Sequence, residues 1–588
     1  MARMTTEPVS PRSRRLRRAP GLLVLTAASF GFAAGPAGPA PAQDSGTPTR
    51  IDRAGTEDTP ERQPTVRVEE LGAPGAGSTG TLADGSGGLG AGLWRGARLE
   101  EVVPLMARLP AANRSPMLHD LQRRLLLTVA LAPAGKAKTG FAQARLQALV
   151  RMGALRDTVD LAARAAAKPQ APFPVIRARF LSGDPKGACA AVAGIGNGAT
   201  PFIEQARIAC HILNGHGERA EIALRLLHEQ GAPPPRPFER AVVAAAAGRA
   251  PKGLAKPVAL TLAMLRRNKA GVKSVKLEPL STGALIALAA NPKMGRRLRI
   301  RALERAALHG APVHRELGAL YAGARVSKRE IADAVAIRLR GFDARARTRL
   351  YLAAATAGSR ARRARILAAW WRLAAGAAAR GDDGAEYLAA QQTVPFLKTI
   401  DPAPAYQDHA AHIARVWFAT GGIEEAFAWY RFLKAAPFRN PADLHRITVP
   451  ALLAAQATRS TPEIVKSWIG FKRWTDRKNA AGHLADLKAL LDGLGRSGDL
   501  PRPWHRVSAE ERKAERTART DRDAALLQAA AGGRPGLTVL RVLTQVNGRS
   551  LRRIPRRLLR DALFGLRAVG LGREARRLAI EAALVRQL

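Results

Sequence analysis

Two cysteines, Cys189 and Cys210, are the only thiols in a chain of 588 residues. Their spacing suits neither a zinc ribbon nor a redox Cys-x-x-Cys pair. Cys189 opens the second helix of one predicted unit and Cys210 closes the first helix of the next, so antiparallel packing carries both to the same end. The pair reads as a disulfide of an oxidising compartment or, failing that, as two buried thiols filling small core sites. Asp408-His409-Ala410-Ala411-His412 sets two imidazoles at i and i+3 beside a carboxylate, the beginning of a metal site on a helix. A third ligand would have to come from elsewhere in the fold, so surface histidines are the expectation and no metal is assigned. Two arginine runs are anion-binding candidates: Arg360, Arg362, Arg363 and Arg365 ahead of Trp370-Trp371, and Arg552, Arg553, Arg556, Arg557 and Arg560. Guanidinium clusters grip phosphates and carboxylates bidentately. The alternative is a solvated helix face, partly neutralised by acids such as Asp382 and Asp383. There is no His-Glu-x-x-His and no Gly-x-Ser-x-Gly, and Gly135-Lys136 lacks the rest of a phosphate loop. No catalytic residue and no cofactor is assigned.

These side chains must be positioned by helices. A glycine followed five residues later by alanine recurs at Gly183/Ala188, Gly215/Ala220, Gly341/Ala346, Gly421/Ala426 and Gly570/Ala575, each time between stretches of helical periodicity. Glycine there ends one helix in the left-handed conformation, and alanine lets the next helix cross closely against its neighbour. Gly153, Gly183, Gly215 and Gly248 follow one another at 30, 32 and 33 residues, the period of a helical solenoid. Ser115-Pro116, Asp184-Pro185, Thr200-Pro201 and Thr461-Pro462 are predicted helix starts. Thr200 to Gly215 and Glu218 to Glu229 form one complete helical hairpin. The pattern blurs between Ala255 and Leu298. Period-two runs are confined to Thr65–Val68 and Leu537–Val546.

The 5% aromatic content argues against a barrel or sandwich, and 47% hydrophobic residues exclude a wholly disordered chain. The expected class is all-α, an α-solenoid of antiparallel helix pairs preceded by a disordered leader. The net charge is +47, and 18 of the 94 basic residues are lysine, leaving 76 arginines. Such a charge makes nucleic acid the first partner to consider in a cytoplasmic protein.

The N-terminus weakens that reading. Arg12, Arg14, Arg15, Arg17 and Arg18 precede the uncharged run Gly21–Ala34 and then Ala40-Pro41-Ala42, the order of a secretory signal cleaved after Ala42. Loss of six Arg and one Glu within residues 1–42 leaves +42, so the charge belongs to the body. Residues 43–92 read as a disordered Gly/Pro-rich leader; a plain linker is the expectation, and the alternative is that Val66-Arg67-Val68-Glu69-Glu70-Leu71, or Gly87-Gly88-Leu89-Gly90 followed by Leu93-Trp94, docks as an extended segment onto the first helices. Residues 93–255, 256–400 and 401–588 read as N-terminal repeats, a central helical region and C-terminal repeats. Ile366–Ala379 is interrupted by Arg372, and no stretch after the N-terminal run has a membrane span's length.

Gly421-Gly422-Ile423-Glu424-Glu425-Ala426-Phe427-Ala428-Trp429-Tyr430, with Pro437 beyond it, resembles the turn and second helix of a tetratricopeptide repeat. Gly570–Ala582, with Ala575, Ala579 and Ala582, is similar. The layout, including Leu93-Trp94 and Leu566-Arg567-Ala568-Val569-Gly570, also resembles uncharacterised exported alanine-rich proteins of proteobacteria. The tetratricopeptide resemblance implies protein or peptide binding on a concave surface. The functional expectation is therefore an exported, non-enzymatic scaffold for another envelope protein or an anionic envelope polymer, with anionic lipid or polysaccharide as further partners. The alternatives are a nucleic-acid-binding repeat protein, should the N-terminus not be an export signal, and a wall-cleaving enzyme with a superhelical body and a catalytic glutamate.

Overall fold

A computed structural model describes residues 78–137, 140–165, 173–196, 200–249, 258–266, 275–382, 384–437, 440–455, 461–505 and 521–588. The proposed signal, most of the leader, Thr65–Val68 and Asp383 lie outside them. The described chain is all-α: its β structure amounts to two isolated bridges, Leu82 with Thr128 and Arg98 with Ala134.

The glycine–alanine step works as its chemistry requires at four of its five positions. Gly183, Gly215, Gly421 and Gly570 have φ of 88°, 90°, 86° and 86°. The partner alanines Ala188, Ala220, Ala426 and Ala575 are all 0% exposed. At Gly421 the left-handed turn lets the Gly422 N–H reach the Trp417 carbonyl at 2.9 Å, closing helix Ala410–Thr420 before Ile423–Ala435 begins. The fifth step differs. Gly341 ends a short 3-10 turn, and Asp343 caps helix Ala344–Ala355 by accepting from the Ala346 N–H at 2.9 Å.

Ser115 and Asp184 cap their helices by accepting from Leu118 N–H and Gly187 N–H. Thr200 occupies the cap position of Pro201–Leu213 without a side-chain bond, while Thr461 is already the first residue of its helix. The hairpin comprises Pro201–Leu213 and Gly217–Glu229. Leu537–Val546 is helical, within Pro535–Val546. Val542, Thr544 and Val546 alternate in sequence, but Leu537, Thr538, Val539, Leu540, Val542, Leu543 and Val546 are all buried. A wide buried face with a narrow stripe of Arg541, Thr544 and Gln545, rather than a two-faced pleat, accounts for the segment.

The docking alternative holds for the end of the leader. Thr81 and Leu82 N–H both donate to the Leu127 carbonyl, and Leu89 N–H donates to Thr128 Oγ1 at 3.0 Å. Arg145 is 1% exposed and donates to the carbonyls of Thr79, Leu126 and Thr128. Burial pulls its pKa down to about 10. Residues 78–92 thus belong to the folded body, as do Leu93 and Trp94, at 1% and 4% exposure.

Buried side chains form two clusters. The larger runs from Leu93 to Leu588 and the smaller from Ile176 to Met264. Helix Phe173–Ser182 joins them, with Val175, Ala178 and Leu181 in the first and Ile176 and Phe180 in the second. The larger cluster includes helices from both ends of the described chain. Helices Leu99–Ala107 and Pro116–Leu127 pack on Pro535–Val546, and Pro116–Leu127 also packs on Gly572–Val585. Gly536 donates its N–H to the Leu93 carbonyl at 2.7 Å, and a Cβ there would lie 2.6 Å from the Trp94 ring. Arg124 and Glu574 pair across the same seam at 2.7 Å.

Cys189 and Cys210 form a disulfide with Cα atoms 5.6 Å apart, joining Pro185–Ala193 to Pro201–Leu213 inside the smaller core. Closing a loop of this length contributes about 3 kcal/mol. We expect Cys189→Ser/Cys210→Ser to speed hydrogen exchange in these two helices by about a hundredfold while leaving Gly572–Val585 unchanged. Uniform acceleration across both cores would show that the bridge is not a local brace.

Candidate functional site

The seam encloses one end of a cleft of about 430 Å³. Four helices contribute most of its wall: Arg360–Ala379, Ala385–Leu397, Ala410–Thr420 and Gly572–Val585. The start of Pro116–Leu127 closes it, and Arg446 reaches in from Pro441–Ala454. Small alanines, Ala374, Ala375, Ala390 and Ala419, open the space between the helices, and Val416, Leu584 and Val585 make its floor apolar.

Glu581 is 6% exposed, at the end where the first and last helices meet. Ser115 Oγ donates to its Oε2 at 2.5 Å and Met117 N–H to its Oε1 at 3.0 Å. It therefore sits on the N-terminus of Pro116–Leu127, where unpaired N–H groups and the helix dipole favour negative charge. Arg577 stays 3.9 Å away. Burial nevertheless outweighs these bonds and lifts its pKa to about 7. Glu304 shows the contrast: Arg347 meets it at 2.7 Å and Tyr321 Oη donates to it at 2.6 Å, a closed ion-pair group. Tyr387, beside Glu581, is held neutral by burial and by that carboxyl, which push its pKa well up.

The opposite wall is cationic and aromatic. His412 stacks on Trp371, with centroids 6.2 Å apart and planes 9° from parallel, and Trp371 Nε1 donates to Thr393 Oγ1 at 3.1 Å. Burial, then the neighbouring Arg446 and Arg415, depress the His412 pKa to about 4, so the imidazole is neutral at pH 7. Arg415 donates to the carbonyls of Arg446 and Leu584 at 3.2 and 3.1 Å and stands 4.0 Å from Glu386. Gln587, itself at φ 60°, donates to Glu386 at 3.1 Å. That non-glycine residue holds a left-handed backbone at the rim, a local cost borne at the site. Arg114 and Arg372 complete the cationic lining, and Arg372 is exposed. Four guanidinium groups thus line the cleft together with Glu386 and a carboxyl that is half protonated near neutrality, and Arg446 also pairs with Asp443 at 3.1 Å. The arrangement can bind an anionic group against an apolar floor.

Neither arginine run lines this cleft. Arg360, Arg362 and Arg365 are exposed in the first turns of the helix that later supplies Trp371 and Arg372, and its first turn carries no acid. Arg363 donates to the Ala354 carbonyl and Thr399 Oγ1, both at 3.1 Å. In the second run Arg556, Arg557 and Arg560 bond Asp486, Asp523 and Asp561, and Arg552 donates to the Val585 carbonyl. Arg553 is exposed nearby. His412 belongs to the cleft as a stacked neutral ring, and among the described residues no group of three or more His, Cys, Asp or Glu is placed to hold a metal ion. Sequence reasoning missed Glu581, Tyr387, Arg415, Arg446 and Arg114. One signal was available: Glu581 interrupts the apolar run Leu578-Ala579-Ile580 and Ala582-Ala583-Leu584, as Arg372 interrupts Ile366–Ala379.

Opposite pH slopes follow from the two shifts. Glu581, at about 7 against an ordinary 4.5, contributes stability that is full below pH 4.5 and is lost as pH rises to 7. His412, at about 4 against 6.5, contributes stability present above pH 6.5 and lost as pH falls to 4. Denaturant titrations of wild type and Glu581→Gln should therefore differ by an amount that favours wild type most in acid and declines between pH 4.5 and 7. A pH-independent difference would contradict the burial of an ionisable Glu581.

No protein-family model, curated protein or solved structure matches the chain.

Proposed function

We propose that the chain is an exported, non-catalytic helical-repeat scaffold whose seam cleft takes an acidic group of an anionic envelope polymer. The carrying observation is the cleft itself, with Arg114, Arg372, Arg415 and Arg446 set over an apolar floor. Guanidinium groups at a partly dry surface make strong, directional bonds to carboxylates and phosphates. The apolar floor favours a bulky ring or chain behind that acidic group, with Trp371 and His412 as a flat wall.

Two further observations support the reading. The Cys189–Cys210 bridge is the kind of bond an oxidising compartment sustains, in keeping with the secretory pattern of residues 1–42. The positive charge steers polyanions toward the body. Binding is favoured over general acid–base catalysis because both Glu581 oxygens are engaged by Ser115 and Met117.

Calorimetric titration with a short oligomer of galacturonic acid and with its neutral galactose counterpart tests this. We expect saturable binding of the acidic oligomer only, weakening with salt, and a loss of about tenfold in Arg372→Gln and again in Arg415→Lys. Equal binding of the neutral oligomer, or indifference to both substitutions, would overturn the reading.

A further inference from the structure

Away from the cleft, helix Thr461–Thr475 ends in a cluster of aromatic rings and cations. Trp474 is 82% exposed, the most exposed large apolar side chain among the described residues. Leaving an indole in water forgoes the gain of burying it. It does not stand alone. Phe471, one turn earlier, lies 6.1 Å from it and is backed by the His445 ring, stacked at 4.4 Å. The helix is anchored from below by Val465, Trp468 and Ile469, which are 1%, 0% and 1% exposed. The indole is thus a projecting tip on a rigid base.

Cations outnumber acids around it. Arg473, Arg477 and Lys478 are exposed, and the Arg473 guanidinium lies 5.8 Å from the Trp504 ring. The acid beside it is engaged locally: Asp476 accepts from Asn479 Nδ2 at 3.0 Å and faces His483 Nε2 at 3.2 Å. An apolar indole tip flanked by cations has the polarity profile of a lipid interface, where the ring enters the headgroup region and Lys or Arg meet phosphates. A nucleic-acid strand would want several free ring faces in succession. Here Phe471 and Trp504 are already half covered, which leaves one.

We propose that Trp474, with Arg473, Arg477 and Lys478, docks the folded chain onto an anionic bilayer surface. The contact is peripheral and reversible: one indole and a few cations suffice for membrane association but not for irreversible anchoring. It sets the scaffold against a membrane face independently of what the seam cleft binds.

The test is sedimentation of the full chain with phosphatidylcholine vesicles, with and without phosphatidylglycerol, the latter also with brominated acyl chains. We expect binding only with phosphatidylglycerol, reversed by salt, and bromine quenching of part of the tryptophan emission. Trp474→Ala should lose that quenching and bind about tenfold more weakly with an unchanged circular dichroism spectrum. Arg477→Gln/Lys478→Gln should weaken binding on the order of tenfold while keeping residual quenching in the bound fraction. Equal sedimentation with both vesicle types, quenching that survives Trp474→Ala, or binding of a single-stranded oligonucleotide through Trp474 without vesicle binding would each overturn the proposal.

Discussion

The Glu581 carboxyl on the N-terminus of Pro116–Leu127 is the constraint on which the rest of the arrangement depends. Residues 466 positions apart share one short hydrogen bond, Ser115 Oγ to Glu581 Oε2. In an open helical array each unit touches only its neighbours, and the end units are left to cap themselves. Here the helices at the two ends of the described body cap one another. Gly536 against Leu93 and Arg124 against Glu574 extend the same seam. Loss of the seam would expose the apolar faces of both terminal helix pairs and open the end wall of the cleft.

A buried carboxyl so placed is costly as well as useful. The helix N-terminus and two hydrogen bonds favour its charged form, yet desolvation prevails, so Glu581 holds its proton near neutrality. That balance leaves the cleft's arginines with less internal compensation than a fully charged glutamate would give them. The cost of closing the body and the positive character of its cleft therefore have one source. The smaller core is insulated from this tension: the Cys189–Cys210 bridge and its own cluster of side chains hold it, and only Phe173–Ser182 and Ala259–Met264 share residues with the larger core.

Local requirements were legible in the sequence. Four of the five glycine–alanine steps carry a left-handed glycine and a sealed alanine, because the backbone turn and the close crossing are each satisfied within a few residues. The cysteine pair was legible for the same reason, since adjacent hairpins bring its members together. Leu537–Val546 showed a period of two because Val542, Thr544 and Val546 alternate at its end, while the helix's own polar stripe is only Arg541, Thr544 and Gln545. The seam and cleft were illegible for a different reason. Ser115 looks like an ordinary helix cap, and it is one, bonding Leu118 N–H; nothing in its neighbourhood announces a second bond to Glu581. The arginine runs drew the eye by number, whereas the cleft uses single arginines, Arg372, Arg415 and Arg446, drawn from three helices. Recognition sites built at a closure are distributed through the chain, and local composition records only their parts.

Native-state hydrogen exchange through a denaturant series tests the closure most directly, by comparing amides of Pro116–Leu127 with those of Gly572–Val585. If the two helices form one cooperative unit, they open with the same free energy and denaturant dependence, and Glu581→Ala lowers both together. Opening of Gly572–Val585 at one free energy and of Pro116–Leu127 at another, each unmoved by Glu581→Ala, would contradict it.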